Sequence, residues 1–156
     1  MIPGEQDLTR FVLREARLLD EGRYDEWYEL FAEDGIYWVP ALPNQPDGIN
    51  HASLAFEDRM LLRIRIENLK GAPPSQRPPS RCQHLLQTPE LDGISGGVYV
   101  VRTAFHYTES RGDDRQFYVG TAIHHLVADG DQLRIKLKRV NLLGCDTALP
   151  GIQLFI

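Results

Sequence analysis

Apolar residues recur at helical spacing near the start of the chain, where Leu8, Phe11, Val12, Leu18 and Leu19, with Ala16 filling the stripe, predict an amphipathic helix. Asp7 can cap its start and Gly22 can end it. In YDEWYELFAEDG, residues 24–35, Trp27, Leu30 and Phe31 share a face, Asp25 and Glu26 suit a first turn, and Gly35 follows the end. A second, short helix is expected there. The β-branched and aromatic run IYWVP, 36–40, then predicts a short strand halted by Pro40. A polar loop containing Pro and Gly follows to about Ser53. LAFEDRMLLRIRIENL, 54–69, supports two periods. Phe56, Met60 and Ile64 fit a helix, whereas Leu62, Ile64 and Ile66 alternating with Arg63 and Arg65 fit a strand; the helix is the favoured reading. GAPPSQRPPS, 71–80, holds four prolines and suits neither element, so it is expected to be a stiff connector.

From Ser80 onward the pattern is that of strands: RCQHLLQTPEL, GVYVVRTAFHYTES, QFYVGTAIHHLVA and QLRIKLKRVNLLG. Gly93 to Gly97 reads as a hairpin turn, and Asp129-Gly130 is a strong hairpin signal between the last two strands. In the final strand Leu133, Ile135 and Leu137 are odd while Val140 and Leu142 are even. The buried face therefore changes parity near Lys138 and Arg139, which predicts a β-bulge there. Helices followed by a long antiparallel meander define an α+β chain.

Length changes the picture only by setting its scale: 156 residues suit a single domain, 1–156, with its own core. Charge adds more. The net charge is -5, and the first 34 residues hold ten acids against four arginines. Without a basic patch, nucleic acid is not an expected partner. The acids of the first helix are expected to form a solvated or subunit-facing surface. With no basic leader followed by an apolar run, and no long apolar segment, a cytoplasmic protein without membrane contact is expected. The cysteines Cys82 and Cys145 are then expected to be free thiols.

Cys82-Gln83-His84 has the Cys-x-His spacing of half a Rieske site. Such a centre needs two thiolates on one iron and two imidazoles on the other. Cys145 is followed by Asp146, Thr147 and Ala148, with no histidine at Cys-x-x-His spacing, so this chain alone cannot supply the ligands. Period-two alternation accounts for the pair, since both side chains fall on one strand face. His124 and His125 are adjacent on a strand and point to opposite faces. For acid-base chemistry, Asp34, Tyr37, Asp58 and His106 are the available candidates.

EARLLDEGRYDEWYELFAEDGIYWVP, 15–40, resembles the small (beta) subunit of aromatic-ring-hydroxylating dioxygenases. The residues that carry the likeness are Glu15, Ala16, Leu18, Leu19, Asp20, Trp27, Asp34, Tyr37, Trp38 and Pro40. It continues through Asp58 and Arg59, through Pro78, Pro79, Ser80, Arg81 and His84, and through Arg139, Leu142 and Leu143. Cys82 stands where that family more often has Thr.

The resemblance implies a nuclear-transport-factor-like (cystatin-like) cone, a curved antiparallel sheet wrapped around about three helices. It also implies a non-catalytic structural subunit with no cofactor and no metal of its own. The Rieske cluster and the mononuclear iron are expected in an alpha partner, with beta trimers inside a heterohexamer. Asp58, Arg81, His84 and Arg139 are then candidates for structural or subunit-interface roles. Two other readings stay open. One is a stand-alone cone-fold dehydratase or isomerase using Asp34, Tyr37 and His106; the other is a homotrimeric ligand-binding protein.

Overall fold

The computed structural model describes residues 1–71 and 79–156. The expected connector lies mostly outside the described residues, as does Pro78. Helix α1 spans Glu5–Asp20, three residues ahead of the expected start, because Gly4 and not Asp7 occupies the cap position. Asp7 contributes from inside the first turn, its Oδ2 accepting the Gly4 N–H at 2.8 Å. Gly22 ends the helix at φ 69, a left-handed conformation open to glycine.

Helix α2 covers only Tyr24–Tyr28, and strand β1 begins at Phe31 and runs as Phe31–Pro40. The helix expected over 24–35 is thus corrected. Phe31 pairs with Ile135 of the last strand, and Ile135 donates its N–H to the Leu30 carbonyl at 2.8 Å. Gly35 is a close-approach residue instead of a helix stop: a Cβ there would lie 2.7 Å from the Ile135 carbonyl oxygen.

Strand β2, Ser53–Glu57, precedes helix α3, Arg59–Gly71, so the ambiguous segment contains both elements. The helix opens at Asp58, whose Oδ1 accepts the Leu61 N–H at 2.9 Å. Its buried face is Leu62 and Ile66, while Met60 and Ile64 face outward, opposite to the expected stripe.

Strands β3 (Arg81–Leu86), β4 (Glu90–Ser95), β5 (Val98–Arg111), β6 (Asp114–Asp129) and β7 (Gln132–Leu142) form the meander. Gly96 and Gly97, both at positive φ, turn β4 into β5. The sheet order is β2-β1-β7-β6-β5-β3, with β4 also on β5. β3 pairs with the second half of β5 and β4 with the first. One pairing is not antiparallel: β1 runs parallel to β7, so the sheet is mixed. The curved sheet wraps the helices, α1 lying against β3 and β4, and α3 against β1 and β2. The result is the nuclear-transport-factor-like α+β cone.

The bulge in β7 lies two residues earlier than expected. His125 pairs with Leu137 and Leu126 with Ile135, so Lys136 is the extra residue. Beyond it the inward side chains are Lys138, Val140 and Leu142, and Leu137 turns away from the core. Near the chain's end, Phe155 enters the core against Trp27, with ring centroids 4.5 Å apart, and against Tyr37 at 5.7 Å.

Candidate functional site

The cone interior holds a buried carboxylate that hydropathy did not single out. Glu15 of α1 is 1% exposed, and Lys138 of β7 and His124 of β6 lie beside it, equally sequestered. Glu15 Oε2 accepts the Trp27 Nε1–H at 2.6 Å and the Lys138 ammonium at 2.7 Å, while Oε1 lies 3.0 Å from His124 Nε2. The expectation that the first helix directs its acids outward is therefore corrected for Glu15. A signal was present: Glu15 follows Leu8 and Val12 at the i+7 and i+3 positions of the buried stripe. Lys138 was hidden by the bulge.

Burial by itself would raise the Glu15 pKa, but the Lys138 ammonium and His124 outweigh it and hold the carboxyl well below the usual range. Burial lowers the His124 pKa, against the opposing pull of Glu15, and because Nε2 faces an ionised carboxylate that can only accept, the ring donates from Nε2. A carboxylate held ionised by three donors, far below the usual range, is a poor general base.

The space around this group is small. A cavity lined by Glu15, His84, Thr103, Phe105, His124 and Lys138 admits water centres over only about 10 Å³. That is room for about one water and not for an aromatic substrate.

Both shifts make the fold acid-sensitive. Each group titrates lower in the folded chain, so unfolding takes up protons and stability falls with pH. His124 is fully stabilising above its ordinary 6.5 and Glu15 above its ordinary 4.5, and each contribution is lost as pH falls below those values. Thermal melts from pH 8 to 3 are expected to show a midpoint that declines below 6.5 and steepens below 4.5. Glu15→Gln should flatten the steeper limb, and a flat wild-type profile would contradict the assignment.

The structure does not gather Asp34, Tyr37 and His106. Asp34 is exposed on β1, 3.4 Å from Lys136 Nζ. Tyr37 is buried, its hydroxyl accepting the Ile156 N–H at 2.9 Å, and burial raises its pKa. His106 is exposed on the outer face of β5. Of the other candidates, Asp58 caps α3, and Arg81 is exposed with no side-chain partner among the described residues. His84 Nδ1 meets Asp20 Oδ1 at 2.6 Å. The Arg139 guanidinium stacks over Trp38 at 4.3 Å while its Nε donates to Asn141 at 2.7 Å.

Residues 14–146 match the family of ring-hydroxylating beta subunits. The chain belongs to that family. It is 31% identical over 150 residues to the small oxygenase component of the p-cumate 2,3-dioxygenase system of Pseudomonas putida, covering 88% of this chain and 83% of the relative. Its structure is similar to that of the beta subunit of the benzoate 1,2-dioxygenase of Burkholderia mallei, with TM-score 0.79, 26% identity and 99% of each chain covered. A scytalone dehydratase-like protein of Novosphingobium aromaticivorans shares the fold at TM-score 0.66 and 16% identity, covering 96% of this chain and 89% of that one.

Among the described residues, the fold of this beta subunit brings together only part of a Rieske ligand set. Cys145 is buried beyond the end of β7, and the one cluster of three ligating side chains among the described residues is Asp20, Cys82 and His84. That group offers one thiol and one imidazole, half of what the two irons require.

Proposed function

We propose that this beta subunit is a structural, non-catalytic component of an aromatic-ring dioxygenase, associating as a trimer that supports three alpha subunits in a heterohexamer. The alpha partner supplies the Rieske cluster and the mononuclear iron, and it inserts both atoms of O2 into the ring with electrons from NADH. The complex works in the cytoplasm; among the described residues no helix is long and apolar enough to cross a membrane.

The observation that carries this reading is the closed cone. Its interior is occupied by the Glu15, His124 and Lys138 group and by Phe155, which leaves room for about one water beside them among the described residues. The outer face of the sheet supports assembly, because Leu85 at 72% and Phe117 at 70% exposure lie there beside Val119 and Leu143, uncovered by any helix among the described residues. The substrate class we assign to the complex is an aromatic carboxylate, because the relatives above belong to systems named for p-cumate and benzoate.

The test is co-expression with a large subunit that contains Cys-x-His and Cys-x-x-His. A stable complex with equal amounts of the two chains, and ring-dihydroxylating activity that depends on both, is the expected result. If the chains do not associate and alpha solubility and activity are unchanged by this chain, the reading fails.

A further inference from the structure

Where α1 ends against β3, three side chains of different chemistry converge. Asp20 is the last residue of α1, and Cys82 and His84 lie on the inner face of β3. One ligand atom from each falls within 4.8 Å of the other two. His84 Nδ1 is 2.6 Å from Asp20 Oδ1, and Cys82 Sγ is 3.8 Å from the same oxygen. The side chain of His84 is 4% exposed and that of Asp20 is 23% exposed, so the group is sheltered but reachable.

We propose that Asp20, Cys82 and His84 form a mononuclear site for a divalent ion of the zinc class, clamping α1 to β3. A thiolate, an imidazole and a carboxylate are a zinc-type donor set, and three protein ligands leave a fourth position for water. The open side is a surface cleft lined by Leu13, Arg17, Asp20, Glu21 and His84, which provides the entry path. The donor atoms lie within 4.8 Å of one another and adjust to the geometry of the ion. Tetrahedral bonds of about 2.0–2.3 Å put neighbouring donors roughly 3.2–3.8 Å apart, so the imidazole and carboxylate separate by about 0.7 Å.

The second observation is the other nitrogen of His84. Its Nε2 is buried without a hydrogen-bond partner, as is the Thr103 hydroxyl, and both residues line the same internal cavity. Ligation through Nδ1 moves the ring proton to Nε2, creating a donor that faces this space. Metal-bound histidines need an acceptor for that N–H, which a water in this cavity, large enough for about one, would supply. The His84 backbone N–H is shared between Asp20 Oδ1 at 3.0 Å and Oδ2 at 3.1 Å, so Oδ2 can keep that bond while Oδ1 turns to the ion.

Proton balance follows from the chemistry. The sulfur–metal bond forms as the Cys82 S–H bond breaks, and the thiol's proton leaves to solvent. Burial first, and the neighbouring Asp20 charge second, push that thiol up to about 12, so without a cation it keeps its proton. The site is independent of the subunit role above, and its test uses this full chain alone.

The probe is Co2+ added to chelator-treated protein, followed by optical titration and proton-release measurement. The expected result is one ion per chain, a near-ultraviolet thiolate-to-cobalt band, about one proton released, and displacement by Zn2+. Cys82→Ser should abolish the band, and Asp20→Asn should weaken binding at least about 10-fold. Cys145→Ser should leave the band intact. Circular dichroism of each metal-free variant checks folding, and the Asp20→Asn and Cys145→Ser pair decides the matter if Cys82→Ser does not fold. A missing band in the wild type, or one that persists in Cys82→Ser or is lost in Cys145→Ser, overturns the proposal and leaves a hydrogen-bonded clasp.

Discussion

Lys138→Met is expected to destabilise the chain by about 3–5 kcal/mol, the cost of removing one partner from a buried ion pair. The ammonium lies 2.7 Å from Glu15 Oε2, and neither residue reaches solvent. After the substitution Glu15 keeps its Trp27 and His124 donors but has no compensating charge. For a chain of this length the loss corresponds to a drop in melting midpoint on the order of 10 °C. Combining Lys138→Met with Glu15→Gln should recover a large part of the loss, because the double variant buries no net charge. Urea unfolding of the four-member cycle measures the coupling. A single-variant loss below about 1 kcal/mol would show that the carboxylate is not held by the lysine.

Phe155→Ala is the second large effect, expected at about 3–5 kcal/mol for a fully buried aromatic ring. Phe155 packs on Trp27, Tyr37 and Tyr24, and the Arg65 guanidinium stacks on its ring at 4.1 Å. The backbone around it is tied on both sides. Arg65 Nη2 donates to the Leu154 carbonyl at 2.7 Å, and the Leu154 N–H donates to Glu109 Oε1 at 2.8 Å. Removing the ring leaves these bonds spanning a void beneath the Trp27 indole, so the mouth of the cone loosens along with its core. Unfolding midpoints and protease sensitivity of residues 150–156 report both effects. A variant as stable as the wild type would mean that the segment is not part of the core.

Much of the fold was legible because its elements follow single-chain rules. The stripe from Leu8 to Leu19, the alternation through β5 and β6, and the Asp129-Gly130 turn each encode a local structure that needs no partner for its recognition. Phe31 shows where this stops. It fits the face of a helix in sequence, yet a parallel ladder with β7, 104 residues later, draws it into β1. Met60 and Ile64 show a related failure, since two apolar faces compete on α3 and only packing against β1 and β2 selects Leu62 and Ile66.

The functional site was less legible than the fold. Glu15, Trp27 and His84 all belong to the residues through which the family was recognised, but their mutual roles come from contacts between distant segments. Glu15 meets Lys138 across 123 residues and Asp20 meets His84 across 64. Asp34, Tyr37 and His106 had the right chemistry for a cavity and separate into solvent, core and outer sheet face.

By itself, the sequence determined the α+β class, the order of most elements, the family and the insufficiency of one Cys-x-His for a Rieske cluster, all properties of local pattern or simple count. Only the tertiary structure decided that a glutamate and a lysine would share the centre of the cone. A lone buried charge costs several kcal/mol, so neither residue reads as core until its partner is seen beside it. The same holds for Cys82 and His84. Their spacing is explained by strand periodicity, and it is the arrival of Asp20 from the end of α1 that turns two residues on one strand face into three converging ligands.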